Sequence, residues 1–166
     1  MTRTGLEYEE INGVLPKNIL VPVDLAEGSE DAVCYAADLA RALGATLHLL
    51  HVVGIPAMGV PEMGVAYSAT MLDGMMSDDL HALEQMLVPH RSSCTCAAPL
   101  IKSGDAREAI NDTAKELGID LIVMATHGRH GISRVLLGSV AESVVRTAPC
   151  PVLTVKQHPA TIEKAA

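Results

Sequence analysis

The feature that most restricts the fold of this chain is a set of short apolar runs without polar residues at alternate positions. Residues 121–125, Leu-Ile-Val-Met-Ala, are apolar throughout and are bounded by Asp120 and Thr126. A strand with one wet face alternates, whereas a strand buried on both faces does not, and the second situation belongs to a parallel sheet covered by helices. Residues 18–23 (NILVPV), set between Pro16 and Asp24, read the same way. Residues 46–53 (TLHLLHVV) and 152–155 (VLTV) are read as further strands, while 96–102 gives a weaker third strand.

Helical spacing fills the intervals. Ala32, Val33, Ala36, Ala37, Ala40 and Leu43 follow Ser29, the expected N-cap, and Gly44 stops that helix. Cys34 falls on the same stripe and is expected in the core. A helix over about 71–88 places Met75, Met76, Leu80, Leu83 and Leu87 on one side. Asp105 caps a third helix with Glu108 three residues on, and Ile110, Ala114 and Leu117 form its inner stripe before Gly118. The last helix runs over about 140–147, and Ser139-Val140-Ala141-Glu142 before it has the S-x-x-E form of a capping box with Ser139 as cap. Five strands alternating with four helices predict an α/β fold, a doubly wound five-stranded parallel sheet with right-handed crossovers and helices on both faces.

At 166 residues and 49% apolar, the chain is sized for one domain with a sizeable core. That domain is expected over 17–156, with 1–16 as an N-terminal extension and 157–166 as a polar tail. Residues 54–70 are rich in Gly and Pro and too long for an ordinary α/β loop, so they read as a mobile insertion or lid. With the next helix they hold Met58, Met63, Met71, Met75 and Met76, suited to an irregular apolar surface on the sheet, a partner subunit or a ligand.

Composition excludes several classes of function. Twenty acidic against 12 basic residues give a net charge of −8, which argues against nucleic acid as a partner because phosphate backbones require clustered Lys and Arg. No apolar run approaches the roughly 18–20 residues that cross a bilayer, so no membrane partner is expected. The first 17 residues carry three glutamates and no apolar core of a signal peptide, which makes the cytoplasm the expected location. Cys34, Cys94, Cys96 and Cys150 are scattered and read as reduced thiols. His90, Cys94 and Cys96 form an H-x3-C-x-C cluster with three potential zinc ligands, but its spacing matches no familiar structural site and no metal centre is assigned. With three Tyr and no Phe or Trp, a planar ligand would have to be held without aromatic stacking.

In an open parallel sheet, ligands sit at the carboxyl ends of the strands where the order reverses. Two segments suit that place: Pro22-Val23-Asp24 after the first strand, and the turn that follows Met124. No acidic residue lies between Leu121 and Ala141, and the turn carries Gly128, Gly131 and Gly138 with His127, His130, Arg129 and Arg134. Glycines admit close approach to backbone N–H groups and a helix N-terminus adds donors and a favourable dipole, an arrangement fitted to phosphate. A capped helix and a solvated basic loop would look the same without any ligand.

The segments Asn18 to Asp24 and Asp120 to Val155 (DLIVMATHGRHGISRVLLGSVAESVVRTAPCPVLTV) resemble the universal stress protein family, and the resemblance runs from Lys17 to Lys156. It implies strand order 3-2-1-4-5 and, through the G-x2-G-x9-G-[S/T] pattern of nucleotide-binding members, a site for ATP, ADP or AMP. The frame falls on Ala125, Thr126, His127 and Gly128, then nine residues from Arg129 to Leu137, then Gly138 and Ser139. Ala125 stands where the family has Gly, a departure that matters if the position needs positive φ or touches phosphate.

By resemblance, adenine would lie against Pro22, Val23, Val52 and Met124, with Asp24 accepting from adenine or ribose. His127 and Gly128 would face the ribose-phosphate, with Arg129 nearby, and Gly138, Ser139, Val140 and Ala141 the phosphates. Plainer roles exist: Asp24 can cap a turn, Met124 can be core, and His127 can bond a carbonyl. Magnesium would be held mainly by the phosphates. No nucleophile, base or metal constellation stands out, so no enzyme is expected. The last strand, Val152 to Val155, is expected at an edge, and family resemblance makes a homodimer through it the expected state. The principal alternative function is a nucleotide-free dimeric scaffold for a protein partner.

Overall fold

The computed structural model describes residues 15–26, 28–54, 69–126 and 138–156. The predicted strand at 18–23 is β1 (Asn18–Val23), followed by α1 (Ser29–Leu43) and β2 (Thr46–Val53). Next come α2 (Ala69–Leu87), β3 (Thr95–Cys96), β4 (Leu100–Ser103) and α3 (Ala106–Glu116). The order closes with β5 (Leu121–Ala125), α4 (Ser139–Thr147) and β6 (Val152–Val155). Every strand pairing is parallel, and the order is β3-β2-β1-β5-β6 with β4 also on β2.

Among the described residues there are therefore six strands where five were expected, because the third is broken in two. Both pieces pair with β2, Cys96 opposite Leu47 and Leu100 opposite Leu50, and Pro99 lies in the gap, where it has no N–H for a ladder. Counting the two as one interrupted strand restores the expected order.

Alternation along the strands divides the core between two faces. Ile19, Val21, Val23, Leu47, Leu49 and Val123 pack with Ala32, Val33, Ala36, Ala37 and Ala40 of α1 and with Leu83 and Leu87 of α2. Leu20, Leu50, Ile122 and Met124 turn the other way, against Ile110 and Ala114 of α3 and Ala141 and Val144 of α4. No described helix is long and apolar enough to cross a membrane.

Helix details correct several expectations. Ser29 is the first helical residue of α1; Gly28 is the N-cap, with φ +88, and the Ser29 hydroxyl donates instead to Asp24 Oδ1. On α2, Leu83 and Leu87 are fully buried, while Met75 and Leu80 are exposed. Leu117 is exposed too, because α3 ends before it. Cys34 is exposed on α1 rather than in the core. Asp105 caps α3 as expected, accepting from the N–H groups of Arg107 at 2.8 Å and Glu108 at 3.3 Å.

Candidate functional site

β1 is the strand from which the connections run in opposite directions, with β2 on one side and β5 on the other. Its contact with β2 is complete, six residue pairs from Asn18↔Thr46 to Val23↔His51. Its registered contact with β5 is only Ile19↔Leu121 and Leu20↔Ile122. The cause lies in Pro22. Lys17 O accepts from Thr46 N–H on the β2 side and Asn18 O accepts from Asp120 N–H on the β5 side. Alternation then turns the Pro22 nitrogen toward β5, where it has no hydrogen to donate. Ladder pairing between the two strands therefore stops before their carboxyl ends, at the switch point of the sheet where a ligand cleft is expected.

The lower part of the seam is fastened by Asp120, whose Oδ2 accepts from the N–H groups of both Lys17 and Asn18 at 2.9 Å. At the upper end, Asp24 Oδ1 accepts from Ala26 N–H at 3.1 Å and from the Ser29 hydroxyl. Asp24 thus shapes the turn into α1. Leu25, inside that turn, has φ +57, the left-handed region that a branched side chain rarely adopts.

Across the cleft stands the start of α4. Gly138 N–H donates to Thr126 O at 2.8 Å, so the helix begins directly against the end of β5. A Cβ at Gly138 would lie 3.3 Å from that same carbonyl oxygen. The expected capping box does not form: Gly138 is the N-cap and Ser139 the first helical residue. Glu142 pairs with Arg146 at 2.6 Å one turn on. Ser139 is exposed, and Ala141 faces the core. The glycine N-cap itself supplies no side-chain bond to the first-turn N–H groups of α4, which start beside the end of β5.

The remaining expected residues sit as follows. Val23 and Met124 are buried in opposite core clusters, on the α1–α2 and α3–α4 faces respectively, while Val52 is half-buried on the α3–α4 face. Ala125 has no positive φ, and its side chain packs against the α1–α2 core. The methyl group that departs from the family pattern is accommodated in that core, without backbone strain. His127, Gly128 and Arg129 lie outside the described residues, as do His130, Gly131 and Arg134.

One participant was not singled out in the sequence. His51 is buried in β2; its Nδ1 bonds Val23 O at 2.7 Å and its Nε2 faces Asp79 Oδ2 of α2 at 3.6 Å. It fixes the last carbonyl of β1, next to Asp24, and ties it to α2. Within TLHLLHVV the only hint is a polar residue in an otherwise buried run.

Among the described residues no group of three or more His, Cys, Asp or Glu could hold a metal ion. The H-x3-C-x-C ligands diverge: the His90 ring lies 3.9 Å from Cys34 Sγ, while Cys94 Sγ contacts the His90 backbone oxygen.

Comparison with known proteins gives consistent relationships. The profile of the Universal stress protein family matches residues 16–156. Universal stress protein G of Escherichia coli O157:H7 is 35% identical over 142 residues, covering 84% of this chain and 99% of the relative. A universal stress protein of Methanocaldococcus jannaschii is 30% identical over 165 residues, covering 92% and 93%. Among solved structures, universal stress protein UspA from Lactobacillus plantarum superposes with a TM-score of 0.69 at 30% identity, covering 84% of this chain and 97% of that one.

Proposed function

The chain belongs to the universal stress protein family, and from that premise and the geometry of the cleft we propose that it binds ATP or another adenine nucleotide, ADP or AMP, as a nucleotide-dependent regulator in the stress response. The observation that carries this reading is the seat of Gly138. Its lack of a side chain lets α4 start against Thr126 O, which brings the first turn of that helix to the end of β5 at the switch point of the sheet. Phosphates would be held there by Gly138, Ser139, Val140 and the backbone of Ala141, with any Mg2+ carried on the phosphates. The base would lie toward Pro22, Asp24 and Val52, against backbone edges and aliphatic surface. No turnover is assigned to the site, and the cytoplasm remains the proposed location.

Titration calorimetry with ATP, ADP and AMP, together with nucleotide extraction from the purified protein, tests the proposal. Gly138→Val is expected to weaken nucleotide binding at least about tenfold, roughly 1.4 kcal/mol, while circular dichroism stays unchanged. A protein that purifies without nucleotide and shows no saturable binding would overturn it and leave the dimeric scaffold as the reading.

A further inference from the structure

The cysteines outside the cleft form an arrangement that nucleotide binding does not use. Cys94 Sγ and Cys96 Sγ lie 3.7 Å apart, within thiol hydrogen-bonding distance, at the joint between α2 and β3. Both are half-buried against the α1–α2 core, so each is reachable from solvent while its position is held by packing. Cys94 is further fixed by its N–H, which donates to His90 O at 3.0 Å. Cys96 lies on β3, the two-residue strand at the edge of the sheet, opposite Leu47.

We propose that Cys94 and Cys96 form a reversible dithiol–disulfide couple that exchanges with small-molecule disulfides of the glutathione type. Closing the bond requires the sulfurs to approach from 3.7 Å to about 2.05 Å, a movement within reach of side-chain rotation. Burial, then the hydrogen bond with Cys96, push the Cys94 thiol up to about 11. In the exchange, the thiolate of one cysteine attacks one sulfur of the external disulfide and expels a small thiolate, which takes up a proton. The other cysteine then loses its proton to solvent and attacks the protein sulfur of the mixed disulfide, expelling the second small thiolate, which is protonated in turn. Two protein thiols are oxidised and one external disulfide is reduced to two thiols.

The couple is reversible because of its place. Only Thr95 separates the two cysteines, so the bond closes a small ring at the start of β3 and competes with the pairing of Cys96 to Leu47. A bond formed against strain is readily reduced, the property of a regulatory rather than a structural disulfide.

The test uses the full chain carrying Cys34→Ser and Cys150→Ser, equilibrated with oxidised glutathione, quenched by acid and alkylation, and weighed intact. The expected result is loss of both remaining thiols with a mass lower by two hydrogens, no retained glutathione, and full recovery in reduced glutathione. Added Cys94→Ser should trap one glutathione on Cys96, and added Cys96→Ser one on Cys94, because neither variant keeps the second thiol that resolves the mixed disulfide. The amide of Ala97, which donates to Leu47 O at 2.9 Å, should exchange faster in the oxidised protein. Two retained glutathiones, a covalent dimer of chains, or two thiols that stay free would each overturn the proposal. Should the double variant fail to fold, peptide mapping of the unaltered protein after the same treatment gives the same decision, by the presence or absence of a bond between residues 94 and 96.

Discussion

Leu25 holds a left-handed backbone angle immediately after the residue expected to meet the nucleotide, and such a conformation costs of order 1 kcal/mol or more for a non-glycine residue. Asp24 offsets that cost by accepting from Ala26 N–H and the Ser29 hydroxyl on one carboxylate oxygen, while the Leu25 side chain packs against the α1–α2 core. Asp24→Ala is therefore expected to lower stability by roughly 1–3 kcal/mol even without nucleotide. Urea unfolding of nucleotide-free protein checks this, and an unchanged midpoint would mean that Asp24 serves the ligand alone. A second carboxylate gives a pH signature. The hydrogen bond from Arg107, aided by the N–H groups of Arg107 and Glu108, holds Asp105 down from 3.8 to about 2. A depressed folded-state value stabilises the protein above the ordinary carboxylate range, and the contribution is lost as pH falls through about 2. Acid titration followed by NMR should show Asp105 titrating below the exposed aspartates, and Arg107→Ala should move it upward.

At the scale of elements, the helices divide into those fixed by caps and those fixed by burial. α1 ends on Gly44 at φ +67, whose N–H donates to Ala40 O, whereas α2 contains the exposed Gly74. Neither glycine has an atom within 4 Å of a would-be Cβ, so packing does not distinguish them and backbone conformation does. Gly44→Ala should cost about 1 kcal/mol and Gly74→Ala should gain about 0.5–1 kcal/mol, opposite shifts in thermal midpoint that differential scanning calorimetry resolves. The same contrast explains what the sequence reveals. The strands at 18–23 and 121–125 are legible because burial on both faces removes alternation, and the cap at Asp105 because its bonds are local. The break at Pro99 is not, since one proline in an edge segment reads as tolerable. Ser29 and Ser139 look like caps, yet each is displaced by the glycine before it, and in the first case the hydroxyl finds Asp24. The site is legible where spacing reflects a close approach, as at Gly138 against Thr126 O. It is illegible where the partner is remote in sequence, as with His51 on the Val23 carbonyl and Asp120 on the amides of Lys17 and Asn18.

Across the whole molecule, the sheet ends differently on its two sides, and this bears on assembly. One side is finished by the interrupted β3 and β4, which offer only short lengths of backbone. The other is finished by β6, which pairs with β5 and with no other described strand. Pro151 O and Val155 O accept from Ile122 and Thr126 N–H, so the odd-numbered residues of β6 serve the ladder to β5. Alternation turns the N–H and C=O groups of Val152 and Thr154 outward, and Thr154 is exposed. A second copy related by a two-fold axis can meet these groups edge to edge, which is the dimer proposed for the native state. Thr154→Pro separates this interface from the fold, because proline removes an outward N–H while leaving the inward ladder intact, the one setting in which a sheet tolerates it. Sedimentation equilibrium at micromolar concentration should give a dimer for the native chain and a monomer for the variant, with the same circular dichroism. A native monomer would refute the dimer, and a variant that stays dimeric would move the interface away from β6. Since β6 pairs with β5 on the side of that strand away from β1, the same calorimetric titration on Thr154→Pro decides whether assembly and ligand are coupled: weaker binding by the monomeric variant shows coupling, and unchanged binding shows independence.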